Sequence, residues 1–130
     1  MTDLSYDKFT DRSLEEVLSR LEAALKERGF GILANLPVHK ILKEKVGAEI
    51  PPLLILEVCS PKHAHHALSV DRDVALMLPC KIVLSSEKGR TRIALQRPTT
   101  VLGKLFPREE LNSLGTEVET ALRAAVDASA

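Results

Sequence analysis

Apolar positions recur along this chain with two different periods, and the switches between them mark out its elements. From Thr2 to Thr10, Leu4, Tyr6 and Lys8 alternate with polar neighbours before Phe9, which predicts a short strand at a sheet edge. Ser13 and Glu16 then have the spacing of a capping box. Leu14, Val17, Leu18, Leu21, Ala24 and Leu25 follow at helical spacing until Gly29 offers a left-handed stop, so a helix is expected over Leu14–Arg28. The apolar run Phe30–Leu36 predicts a buried strand ended by Pro37. Val38, Ile41, Leu42 and Val46 resume a helical period that Gly47 closes, with Lys40, Lys43 and Lys45 on the wetter face.

The densest stretch runs from Leu53 to Leu84. Leu53–Val58 is apolar at almost every position, as expected of a strand covered on both faces. Glu57 is the exception and shares a face with Leu53, Ile55 and Cys59. Ser60–Pro61 has the form of a helix start, Ser as the cap and Pro at the first helical position. Ala64, Ala67 and Leu68 give the following helix a narrow apolar stripe, flanked by His63 and His65, with His66 pointing away. Asp71-Arg72-Asp73 marks a turn, and Val74–Leu84 is a second apolar run interrupted by Pro79-Cys80-Lys81. Ser85–Gly89 reads as a hairpin turn with Thr91–Gln96 as its returning strand. Thr99–Leu105 carries no recognisable period. From Pro107, Leu111, Leu114, Val118, Ala121, Leu122 and Ala125 trace one face of a last helix, over about 107–127. These elements predict an α+β (α/β-type) fold. It is a single two-layer domain over 1–130, with a mixed or antiparallel sheet of about five strands on which three main helices and one short one pack.

Composition narrows the function classes. With 130 residues, 45% of them hydrophobic, the chain can bury one core and is too short for two ordinary domains. Eighteen basic residues balance eighteen acidic ones, so no net field attracts phosphate backbones or anionic membranes. Three Phe, one Tyr and no Trp leave little stacking surface for single strands, which argues against nucleic acid as a partner. The first residues lack the basic flank and apolar centre of a signal peptide, and no apolar run approaches the roughly 20 residues of a membrane helix. A cytoplasmic protein without a membrane partner is expected, its two cysteines kept as thiols.

Candidate chemistry gathers at Cys59. A thiol just ahead of a helix N-terminus lies near unpaired N–H groups and the positive end of the dipole, which lowers a thiol pKa. The same position accepts small anions. Cys59, Cys80, Glu57 and His63 are the candidate catalytic groups, Cys59, Ser60 and Cys80 the candidate ligand-binding ones, and Cys59, Cys80 and His63 the candidate metal ligands. If the two strands were parallel neighbours, Cys59 and Cys80 would lie at opposite ends; if antiparallel, or if 74–79 is not strand, the thiols could meet. Each residue also has a plainer role. Buried cysteines often pack as small hydrophobes, helix histidines are usually solvated, and Glu57 could simply pair with a lysine or arginine. The absence of a C-x-x-C pair or an H-x-x-x-H spacing argues against a closed zinc site, and no nucleotide, metalloprotease or hydrolase motif is present.

Leu56-Glu57-Val58-Cys59-Ser60-Pro61, then Ala64 and Ala67-Leu68, then Leu76-Met77-Leu78-Pro79-Cys80-Lys81-Ile82-Val83 resembles the core of the small bacterial and archaeal family known as domain of unknown function 302. The resemblance spans about 13–98. Ser60 stands where that family usually has Asn, and Arg97-Pro98 where Asp-Pro is usual. The resemblance implies a compact α/β domain that forms a homodimer; it implies no activity and no cofactor. Three function classes remain open. One is a non-catalytic binding or sensing module for a small anion or soft metal at the Cys59–Pro61 turn. Another is a thiol enzyme or redox protein using Cys59 or Cys80 with His63 or Glu57. The last is a structural partner protein with edge residues such as Tyr6 or Phe9 at its interface.

Overall fold

The computed structural model describes residues 2–130. In chain order these form β1 (Ser5–Thr10), α1 (Leu14–Lys26), β2 (Gly31–Pro37), α2 (Val38–Val46), β3 (Leu53–Cys59) and α3 (Pro61–Val70). A 3₁₀ segment (Arg72–Met77), β4 (Cys80–Glu87), β5 (Arg90–Gln96), a π-helical turn (Thr99–Lys104) and α4 (Glu109–Ser129) complete them. The five strands form one sheet in the order β1-β5-β4-β3-β2, antiparallel throughout. The fold is therefore α+β, with helices packed on an antiparallel sheet.

Local chemistry sets the element ends. Ser13 caps α1 by accepting from the Glu16 N–H at 3.1 Å, with Glu15 and Glu16 in the first turn, and Gly29 ends the helix region at φ +80. Pro61 opens α3 behind the Ser60 cap. Lys88 and Gly89 both have positive φ, 52 and 77, which makes a two-residue primed turn whose twist matches the flanking strands. β4 accordingly runs on through Glu87, and the hairpin turn is shorter than the sequence suggests.

The Val17, Leu21 and Leu25 face of α1, Ala67 of α3 and the Leu111–Leu122 stripe of α4 all pack on the sheet face carrying Leu54, Leu56, Val58, Ile82, Leu84, Ile93 and Leu95. Burying each such side chain contributes roughly 1.5–3 kcal/mol. The expected two-sided cover of β3 is corrected here. Leu54, Leu56 and Val58 are buried, but Leu53, Ile55, Glu57 and Cys59 on the other face are only half-buried. On that open face the register lines up Asp7, Ala94, Val83, Ile55 and Leu36 across all five strands. An apolar run in the sequence records β propensity, and it cannot say how many sides of a sheet receive helices.

Three further expectations change. β2 was expected to be buried, yet it is the sheet's outer strand, irregular at Ile32–Ala34, with Leu33 and Leu36 exposed. The run from Val74 does not form strand until Cys80, because 72–77 winds into the 3₁₀ segment. The unassigned 99–105 stretch becomes the π-helical turn, which packs Val101 and Leu102 against the core. That turn is pinned to α4 by Glu119, which accepts from the Thr99 hydroxyl (2.6 Å), the Thr99 N–H (3.2 Å), Arg97 Nε (3.2 Å) and Arg123 Nη1 (3.4 Å). Among the described residues no helix is long and apolar enough to cross a membrane.

Candidate functional site

Cys59 ends β3 and Cys80 begins β4, and antiparallel pairing sets Cys80 opposite Val58, one residue from Cys59, so the two cysteines are neighbours across the strands although Cys80 shares the face of Val58 and Cys59 alternates to the other. Their separation in sequence is taken up by an excursion and a return. Ten residues of α3 carry the chain about 15 Å away, and six residues of 3₁₀ helix bring it back about 12 Å. The antiparallel branch of the sequence argument is thus the one realised, and 74–79 is not strand.

Cys59, Ser60, His63 and Cys80 all line one cavity of about 30 Å³, closed by Phe30 and Leu78 and floored by Leu102, Leu114 and Val118. That volume is on the scale of one liquid water, enough for a monatomic ion and too small for an organic molecule. Both cysteines are free thiols. The expectation that the helix end would lower the Cys59 pKa is corrected: burial pushes the Cys59 thiol up. Burial, with the neighbouring Cys59 adding to it and Lys81 opposing, pushes the Cys80 thiol up to about 11. Burial removes the hydration that a thiolate would need, and two of the nearby N–H donors are spent within the helix. The His63 N–H goes to Ser60 Oγ at 3.5 Å and the Ala64 N–H to the Ser60 carbonyl at 2.9 Å, while Pro61 has none to give.

His63 is held on three sides. Its Nδ1 lies 2.7 Å from Ser60 Oγ, its Nε2 lies 3.3 Å from Glu117 Oε1, and its ring stacks on Phe30 with centroids 5.7 Å apart and 14° between planes. One assignment satisfies every atom: the Ser60 hydroxyl donates to Nδ1, and Nε2–H donates to the carboxylate. Neither ring nitrogen then has a lone pair free for a thiol proton. His65 and His66 are exposed, with His66 Nε2 3.7 Å from Glu110 on α4. Glu57 sits on the open sheet face and pairs with Lys81 at 3.1 Å across the β3–β4 register. The four converging residues were all singled out in the sequence; Phe30 and Glu117 were not. Glu117 lies on the solvent side of α4, 54 residues from His63, and nothing in its local sequence announces a partner that distant.

A separate, broad open groove of about 900 Å³ lies along the α3–α4 seam, lined by His66, Ser69, Arg108, Glu110 and Glu117, and shares Leu114 with the cavity. Among the described residues no group of three or more His, Cys, Asp or Glu side chains could hold a metal ion.

The comparisons with known proteins agree with the architecture. No curated protein matches the chain. Among solved structures, an uncharacterised conserved DUF302 protein from Bacillus stearothermophilus is 34% identical, with 98% of each chain covered and a TM-score of 0.91. The family model described as domain of unknown function DUF302 matches residues 6–129, reaching beyond the 13–98 stretch that carries the resemblance in the sequence. The chain belongs to the DUF302 family.

Proposed function

We propose that this chain is a non-catalytic binding or sensing module of the cytoplasm, acting as a homodimer, whose ligand is a small soft metal ion taken between Cys59 and Cys80 at the Cys59–Pro61 turn. The observation that carries this is the cavity of about 30 Å³ lined by Cys59, Ser60 and His63 of the β3–α3 junction and by Cys80 at the start of β4. Its size suits a monovalent d¹⁰ ion such as Cu⁺, for which soft thiolate sulfur is the preferred ligand. A small anion at the same turn has less support, since the His63 and Ala64 N–H groups are already paired and Glu117 brings a negative charge to His63. Thiol catalysis also has less support. A nucleophilic cysteine needs a thiolate and a base within reach, whereas these thiols are held protonated and His63 has both nitrogens engaged.

Binding of a soft ion by two protonated thiols must release two protons, so affinity should rise about a hundredfold per pH unit below the thiol pKa values. The test is transfer of Cu⁺ from a coloured chelator at several pH values. One ion per chain, lost in both Cys59→Ser and Cys80→Ser, is expected. Failure of the native chain to take Cu⁺ refutes the proposal, as does uptake that either serine variant leaves unchanged.

A further inference from the structure

At the far end of β3 from the thiols, a second cavity of about 360 Å³ lies between the first turns of α1 and the β2–α2 corner. Its lining is of two kinds. Leu14 and Leu18 of α1, Pro37 at the end of β2, and Pro52 and Leu54 around the start of β3 are apolar. The proline rings fix φ and carry no N–H, so these walls are stiff and add no backbone donors. The polar lining is Glu15, Asn35, His39 and Lys40. Glu15 and Lys40 share the cavity, yet neither takes part in an ion pair among the described residues, with the other or with anything else. Their nearest rivals are already engaged, Arg12 with Glu16 and Lys43 with Glu49. Asn35, opposite Leu56, brings an amide to the helix-covered face of the sheet. The Leu53 N–H lies 3.1 Å from His39 Nδ1 and the Leu53 carbonyl 3.2 Å from it; the N–H can only donate, so Nδ1 accepts and the ring carries its proton on Nε2.

We propose that this cavity binds a free α-amino acid with an apolar side chain, at a site independent of the metal reading above. One charge of each sign, two neutral hydrogen-bonding groups and an apolar lining match the parts of such a molecule. Its ammonium goes to Glu15, its carboxylate to Lys40 and His39 Nε2–H, and its side chain against Leu14, Leu18 and Leu54. The volume falls at the small end of the roughly 300–1,000 Å³ that ligand cavities occupy, which suits an amino acid better than a nucleotide or a large cofactor. A ligand with only one charge leaves the cavity's other charge unanswered, and that sets the selectivity. Glu15 and Lys40 are both exposed, so water screens them; the apolar contacts carry most of the affinity and the charges discriminate.

The test is titration of the isotope-labelled full chain with L-leucine, read from its amide resonances, against leucinamide, which lacks the carboxylate, and isocaproate, which lacks the ammonium. Leucine should saturate with a dissociation constant of about 1 mM or below, shifting the amides of Glu15, Asn35, His39 and Lys40 and leaving those of Cys59 and Cys80 in place. Each analogue should bind about fivefold more weakly, the reach of one partly exposed charge pair. Lys40→Ala and Glu15→Gln, both at exposed positions that the fold tolerates, should each weaken leucine by a similar factor. Lys43→Ala, which removes the lysine paired with Glu49, is the control and should leave binding unchanged. No saturable shift by about 10 mM leucine overturns the proposal, as do shifts centred away from these residues. Analogues that bind as tightly as leucine, or leucine binding that both cavity variants leave unchanged, overturn it equally.

Discussion

Cys80 offers the sharpest quantitative test of how the thiol end is built. With its pKa pushed up to about 11, chiefly by burial, the thiol is ionised to about one part in 10,000 at pH 7, against about one in 30 for an ordinary thiol near 8.5. Each thiolate of higher pKa is also a better nucleophile, by roughly tenfold for such a shift. The two effects leave alkylation of native Cys80 at pH 7 about 30-fold slower than that of a free cysteine, before any steric protection is counted. Brief iodoacetamide exposure between about pH 6.5 and 11, read by mass spectrometry, should show its rate still climbing at the alkaline end. The same shift makes a prediction for stability. Between about pH 8.5 and 11 the folded thiol keeps a proton that the unfolded chain has lost, so stability falls as pH rises, by up to about 3 kcal/mol. Urea melts across that window should show the decline, and Cys80→Ser should remove most of it. Modification of Cys80 at pH 7 as fast as a free thiol, or a rate that levels off below about pH 9, would refute the reasoning.

Two other sites give clear expectations. For Glu119, burial alone pushes the carboxyl up, but hydrogen bonds from Thr99 and the Arg97 guanidinium more than offset it and hold the pKa below the usual carboxylate range. Its contribution is therefore present at neutral pH and lost as pH falls through about 4 and below, so Glu119→Gln should cost about 1–3 kcal/mol near pH 7 and progressively less toward pH 3 in thermal melts; an equal cost at both pH values sinks the idea. Ser60→Ala removes the α3 cap and the Nδ1 partner of His63, which should cost about 1 kcal/mol or slightly more in denaturant melts and shift the His63 ring resonances, whereas unchanged resonances would mean the Ser60–His63 bond does not hold the ring.

The sequence by itself determined the elements, and did so where short-range chemistry decides. The Ser13 capping box, the Gly29 stop, the Ser60–Pro61 helix start and the 3.6-residue stripes of α1 and α4 are all properties of a few neighbouring residues, and each is found where the sequence puts it. The family was legible too, since its two motif blocks lie within one stretch. Tertiary structure alone decided what depends on partners far along the chain. It set the antiparallel order that brings Cys80 beside Cys59, the single covered face of β3, the exposed position of β2, and the reach of Glu117 to His63 across 54 residues. It also reversed the sign expected at Cys59. A helix N-terminus is visible in sequence as a local dipole, but burial is a property of the whole packed molecule, and at this thiol the loss of water is the larger effect.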